Sequence, residues 1–303
     1  MEILNLLAPV FLLIALGAGL QRSGLLPVDL QAGLNRITYW VGLPVLIFTS
    51  LANAEHGEGE VGRLLLALLL GTLVSVLLAW GAARLLGLAV EAHGTFVQAA
   101  FRGNLAFVGL PLVLTMPGVP RTTAIFAMAP MLVVYNALAV GALLASQHRG
   151  SAGMTGIIGR EIVRNPIVIA SVLGGIFYVR DWHLPTALDR TLLQLARMAV
   201  PMALLCIGGA LVLTPLKGNR RVAVAGAVFK TAVSPLIGYG VGRALGLGVG
   251  EMLVTLMLMA CPTAAVSYTM VRQIGGDEAV AASVIVLSTL FSAGALAVIL
   301  ALA

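Results

Sequence analysis

Long apolar runs, one after another and almost free of charge, constrain this chain more than any motif in it. Ten such runs can be marked, at about 4–21, 34–52, 64–86, 94–115, 122–146, 162–179, 191–213, 222–243, 251–271 and 279–301. An α-helix needs about 20 mostly apolar residues to cross the hydrocarbon core of a bilayer. Hydrophobic residues make up 60% of the 303 and charged residues only 10%, against roughly 25% charged in an ordinary soluble domain. Backbone polar groups in lipid must be satisfied within the segment, so the runs are expected to be helices. The expected fold class is an all-α polytopic membrane protein with ten transmembrane helices and no soluble domain.

Several functional classes lose ground at once. The formal charge of +6 is spread over loops and reads as topology, not as a nucleic-acid surface. Cys206 and Cys261 lie inside apolar runs and make no disulfide framework. His56, His93, His148 and His183 fall in loops or at span ends, without metal-ligand spacing. No nucleophile–base constellation, Gly-rich phosphate loop or cofactor motif is visible, so an enzyme is not expected. The start, Met1-Glu2-Ile3, lacks a positive n-region, and the first run is read as a retained helix.

Loop charges suggest an orientation. Ten basic residues (Arg22, Arg36, Arg84, Arg149, Arg160, Arg164, Lys217, Arg220, Arg221 and Arg272) border the odd-numbered loops, against six at the others (Arg63, Arg121, Arg180, Arg190, Arg197 and Arg243). Glu55, Glu58 and Glu60 crowd the loop after span 2. The positive-inside rule then leaves both termini outside.

The chain also looks duplicated. Span 3 closes on Ala83-Arg84-Leu85-Leu86-Gly87-Leu88 and span 8 on Gly242-Arg243-Ala244-Leu245-Gly246-Leu247; Leu43-Pro44 in span 2 is echoed by Val200-Pro201 in span 7. The offsets are 159 and 157 residues, and a shift of about 158 sets Asn104 opposite Pro262. The first repeat is taken as 1–146, a cytoplasmic linker as 147–161 and the second repeat as 162–303. Five spans is an odd number, so the copies are inverted in the membrane, a recurring design of secondary transporters. The plainer alternative is chance similarity among apolar helices.

Spans 4 and 9 hold the candidate chemistry. Span 4 reads Phe101-Arg102-Gly103-Asn104-Leu105-Ala106-Phe107-Val108-Gly109-Leu110-Pro111, and span 9 reads Ala260-Cys261-Pro262-Thr263-Ala264-Ala265-Val266-Ser267-Tyr268. A mid-membrane proline removes a backbone donor and clashes with the preceding turn. Paired Gly/Pro interruptions in matching spans point to a transporter's binding site, where exposed N–H groups can hold an anion; two simple kinks are the alternative. Arg102 and Lys230 fall in mid-span, where a charge costs about 2.5–3.5 kcal/mol on insertion scales. No Asp or Glu lies in the middle of any span. The cations therefore face an anionic substrate or cap carbonyls at the helix breaks, and Lys230 can stand in for a coupling cation. Asn136, mid-span 5, binds substrate or bridges helices. Gly238, Gly242, Gly246 and Gly250 form a small-residue stripe for helix packing.

The run Gly103-Asn104-Leu105-Ala106-Phe107-Val108-Gly109-Leu110-Pro111 resembles the fourth-helix motif of the auxin efflux carrier family, as found in bacteria. Cys261-Pro262-Thr263-Ala264 resembles its ninth-helix motif. Gly275-Gly276-Asp277-Glu278 with Leu287-Ser288-Thr289-Leu290-Phe291-Ser292 is similar to its tenth-helix entry, and Asn165-Pro166 matches the opening of its sixth. The resemblance implies two inverted five-helix repeats, helices 4 and 9 broken and crossing at their prolines, a scaffold of helices 2 and 7 with their repeat mates, elevator-type alternating access and a homodimer. It implies small organic anions as cargo: auxin-like weak acids, or dicarboxylates such as malate and malonate. The expected substrate site is Arg102, Gly103, Asn104, Phe107, Pro111, Asn136, Pro262, Thr263 and Ser267, in a prokaryotic plasma membrane. The long central loop of many plant members is absent. Two rivals remain: a sodium-coupled symporter of the bile-acid-type fold, and a membrane-embedded enzyme or receptor.

Overall fold

A computed structural model describes residues 2–54, 61–116, 118–147, 164–213 and 219–302. Glu55, Glu58, Glu60, Lys217 and most of the expected linker lie outside these residues. Among the described residues the chain is helical, without β-strands. The order is α1 (Glu2–Arg22), α2 (Val28–Ile37), α3 (Leu43–Ala52), α4 (Val61–Leu85), α5 (Val90–Phe101), α6 (Leu110–Thr115) and α7 (Arg121–Ser146), then α8 (Pro166–Arg180), α9 (Thr186–Leu213), α10 (Arg220–Val228), α11 (Ser234–Ala244), α12 (Val249–Ala260), α13 (Val266–Ile274) and α14 (Glu278–Leu302). Five stretches are long and apolar enough to cross a membrane: α4, α7, α9, the continuous α10–α11 rod and α14. Shorter apolar helices are Ala8–Arg22, Leu105–Thr115, Pro166–Arg180 and Val249–Ala260. Their outer faces carry exposed leucines such as Leu12, Leu77, Leu236 and Leu302, a surface suited to lipid and hazardous in water.

Three π turns interrupt the rods, at Thr38–Gly42, Leu105–Gly109 and Phe229–Val233. Each precedes a proline by two residues: Pro44, Pro111 and Pro235. Proline donates no N–H to the carbonyl four residues back and its ring crowds that carbonyl. The π register widens the turn, and the N–H groups of Leu43, Leu110 and Ser234 reach back five residues to Thr38, Leu105 and Phe229. Pro201, paired with Pro44 in sequence, instead runs inside the uninterrupted α9. Nor does α4 have a turn to match the one between α10 and α11.

The repeated six-residue motif has a repeated structure. Gly87 (φ 64°) and Gly246 (φ 66°) both end a helix in the left-handed region that favours glycine. Gly87 N donates to Arg84 O and Leu88 N to Ala83 O; Gly246 N donates to Arg243 O and Leu247 N to Gly242 O. This corrects the packing stripe: Gly238 and Gly242 do press on Met259 and Met252, but Gly246 turns the chain and has no neighbour within 4 Å of a Cβ position.

Packing sorts the helices into two groups, each drawn from both halves of the chain. α1 packs on α9, and α3 on α8 and α9. Glycines make the first of these contacts possible: a Cβ on Gly208 would stand 1.9 Å from Ile14 O, and one on Gly17 2.2 Å from Leu205 O. The other group is built on α4, α5, α7, α10, α11, α12 and α14. Contacts between the groups are sparser. At one of them Phe126 of α7 meets Tyr178 of α8 edge-on, ring centroids 5.3 Å apart.

Candidate functional site

Two short helices of the second group, α5 and α12, stop in mid-bundle. α5 ends at Phe101, after which Arg102 is extended (φ −76°, ψ 98°). α12 ends at Ala260, and Cys261 is extended too (φ −50°, ψ 141°), as a residue preceding proline prefers. The two extended stretches cross as an isolated antiparallel bridge between Gly103 and Thr263. Asn104 N donates to Pro262 O (2.8 Å) and Ala264 N to Arg102 O (3.1 Å). The two bonds mirror each other, because Asn104 and Ala264, and Arg102 and Pro262, are each 160 residues apart. The crossing thus sits at Gly103 and Thr263, which corrects the expectation of two crossing prolines. Pro262 flanks it, whereas Pro111 lies in the first turn of α6, where the π turn absorbs its missing donor.

Side chains complete the breaks. The Asn104 side chain accepts from Phe107 N (3.3 Å) and so starts the π turn. Thr263 N donates to Ser288 Oγ (3.0 Å), and Thr263 Oγ1 donates to Ala99 O (2.6 Å) in the last turn of α5. Lys230, fully buried on its π turn, donates from Nζ to Met259 O in the last turn of α12. The Arg102 guanidinium, 5% exposed, turns toward α7 and α13, where it contacts Asn136 Oδ1 and Met270 Sδ. One turn earlier on the same face, Gln98 Nε2 donates to Ser267 O (3.1 Å). Gln98 Oε1 and Ser267 Oγ are buried and find no partner among the described residues.

Arg102, Gly103, Asn104, Asn136, Pro262, Thr263 and Lys230 therefore meet at one crossing, Ser267 lies beside it, and Phe107 takes part through its backbone. Pro111 stands apart from it. Gln98 and Met270 went unread in the sequence, and Ser288 was read only as part of the tenth-helix motif. Gln98 had a usable signal, a mid-span amide four residues before Arg102 and hence on its face of the helix. Met270 carried none, since it acts through a partner distant in sequence.

A void of about 10 Å³, lined among others by Ile47, Ala106, Leu110, Met128 and Ile167, lies where both helix groups meet. A larger recess of about 230 Å³ lies at one end of the bundle, among Asn53, Phe177, Tyr178, Asp181 and His183. No cluster of three metal-ligating side chains occurs among the described residues.

A family model described as membrane transport protein matches residues 2–147 and 146–300. The chain belongs to that family, the one that holds the auxin efflux carriers. This transporter family member is also 29% identical, over 289 residues, to an uncharacterized transporter of the archaeon Methanothermobacter thermautotrophicus, covering 93% of this chain and 92% of that one. The crossing of two broken helices is thus a feature of a membrane transporter. The family's activity is transport and not catalysis.

Proposed function

We propose that the chain is a secondary carrier of small organic anions, either auxin-like weak acids or dicarboxylates such as malate and malonate, bound where α5–α6 crosses α12–α13. The observation that carries this reading is Arg102, a buried guanidinium at a helix break whose contacts include a neutral amide oxygen and a thioether sulfur. A guanidinium binds a substrate carboxylate in a two-pronged geometry. Asn136 and Asn104 offer amides beside it. Gln98 and Ser267 leave buried polar atoms open next to it, and such atoms call for a ligand or water.

The proposed architecture is ten spans in two inverted five-helix repeats, 1–146 and 162–303, joined by a cytoplasmic linker at 147–161. The mirrored bonds at Gly103 and Thr263, the matched helix ends at Gly87 and Gly246, and the meeting of Ser75 Oγ with Ser234 Oγ (3.2 Å) support it. The proposed mechanism is an elevator: the group containing the crossing slides along the α1, α3, α8 and α9 group, whose looser contact with it favours movement as a body. A homodimer in a prokaryotic plasma membrane, with both termini outside, completes the reading.

The test is uptake of radiolabelled malate, malonate and indole-3-acetate by vesicles containing the purified protein. Saturable uptake of at least one is expected. A hydrogen bond to a charged group is worth about 1.5–3 kcal/mol, so Arg102→Met should weaken apparent affinity about tenfold to hundredfold. Folded protein that moves no carboxylate faster than empty vesicles do would overturn the reading.

A further inference from the structure

The last four carbonyls of an α-helix have no partner within the helix, and the two broken helices solve this differently. In α5, Ala99 O accepts from the Thr263 hydroxyl at 2.6 Å. The residue 160 further on, Met259, holds the corresponding carbonyl in α12, and it accepts from the Lys230 ammonium. The reason is visible at Gly103, which answers to Thr263 under the same offset. Gly103 has no side chain to offer, and the Lys230 nitrogen stands 3.5 Å from the point where its Cβ would be, with Leu258 O 3.2 Å from that point. The π turn that presents Lys230 also has no counterpart in α4. One half of the crossing is closed by a neutral hydroxyl and the other by a full positive charge.

We propose that the Lys230 ammonium, bonded to the Met259 carbonyl, occupies a monovalent-cation site at the C-terminal end of α12, so that the carrier works with a tethered cation in place of a free coupling ion. The C-terminal end of a helix is a negative pole, and carbonyls at such ends in broken transporter helices coordinate sodium. Here the cation is covalently attached and fully buried. It cannot be released on the far side of the membrane, so no ion gradient is spent through this site. The consequence for transport rests on the carrier reading above; the site itself does not.

The site is tested by thermal unfolding of the purified protein in choline, sodium and ammonium chloride at equal ionic strength, an assay that needs no substrate and survives failure of the uptake experiment. The wild type should melt at the same temperature in all three. Lys230→Ala should melt lower in choline, and its midpoint should climb and saturate with ammonium or sodium, as a native-state ligand requires. Lys230→Met, which fills the space without charge, should not respond. The proposal is overturned if sodium specifically stabilises the wild type, or if folded Lys230→Ala ignores every cation or equals the wild type in choline. Should Lys230→Ala not fold, Lys230→Arg must fold and Lys230→Met must melt lower than it; equal melting of those two also overturns the proposal. In vesicles, wild-type flux should be the same in sodium and in choline.

Discussion

Thr263 does two jobs with one side chain and its own N–H. The hydroxyl closes the end of α5, and the N–H is held by Ser288. Thr263→Val keeps the shape and removes the hydroxyl, leaving a buried carbonyl unpaired at a cost of about 1–3 kcal/mol. The midpoint of thermal unfolding should fall, and Thr263→Ser should restore most of it. At this scale the sequence is a fair guide to which side chains matter. Arg102, Lys230, Asn104 and Asn136 stand out because polar groups are expensive in lipid. What they touch is harder to read. The acceptor for Lys230 is the backbone of Met259, and every residue has a carbonyl. Met270 looks like any apolar residue of a span until Arg102 is found against it.

Helices read more clearly than their irregularities. The helices follow the apolar runs, and among the described residues they fall within a few residues of them, save that the second rod begins earlier, at Val28; five are long and apolar enough to cross a membrane. The π turns sit before prolines that were visible, yet Pro201 lies in an unbroken helix, because neighbours decide how a lost donor is absorbed. Glycines divide in the same way. Gly208 and Gly19 both lie inside helices, but a Cβ on Gly208 would collide with backbone, whereas one on Gly19 would meet nothing within 4 Å. Gly208→Ala must push α1 from α9 and should destabilise by about 1–3 kcal/mol or more. Gly19→Ala should be neutral or stabilising, by up to about 1 kcal/mol. Thermal melts of the two variants side by side distinguish close packing from simple permissiveness.

For the whole molecule, the partition into two groups is not legible in the residues themselves, since it depends on which helices touch and each group mixes early and late segments; the family resemblance implied a scaffold on helices 2 and 7, and α3 and α9 do pack together. The family resemblance implied sliding bodies; the uneven packing supplies a place to test them. A Cβ on Gly175 of α8 would lie 3.2 Å from the Phe126 ring of α7, across the boundary. Cysteines at these two positions, joined by a short reducible bifunctional reagent, should stop uptake, and reduction should restore it. Undiminished flux through the cross-linked carrier would mean that the groups do not slide. The native thiols, Cys206 and Cys261, are buried and should react little.

The paired bonds at the crossing also bear on how the chain is made. Asn104 N and Arg102 O find their partners on Pro262 and Ala264, which are synthesised much later. At about 5–20 residues per second, the segment between α5 and α6 waits on the order of ten seconds with a donor and an acceptor open. Hydrocarbon penalises each of them by several kcal/mol. Early helices that stay at the insertion machinery or beside its water until α12 and α13 arrive avoid that cost, so the order of synthesis favours a late pairing of the two breaks.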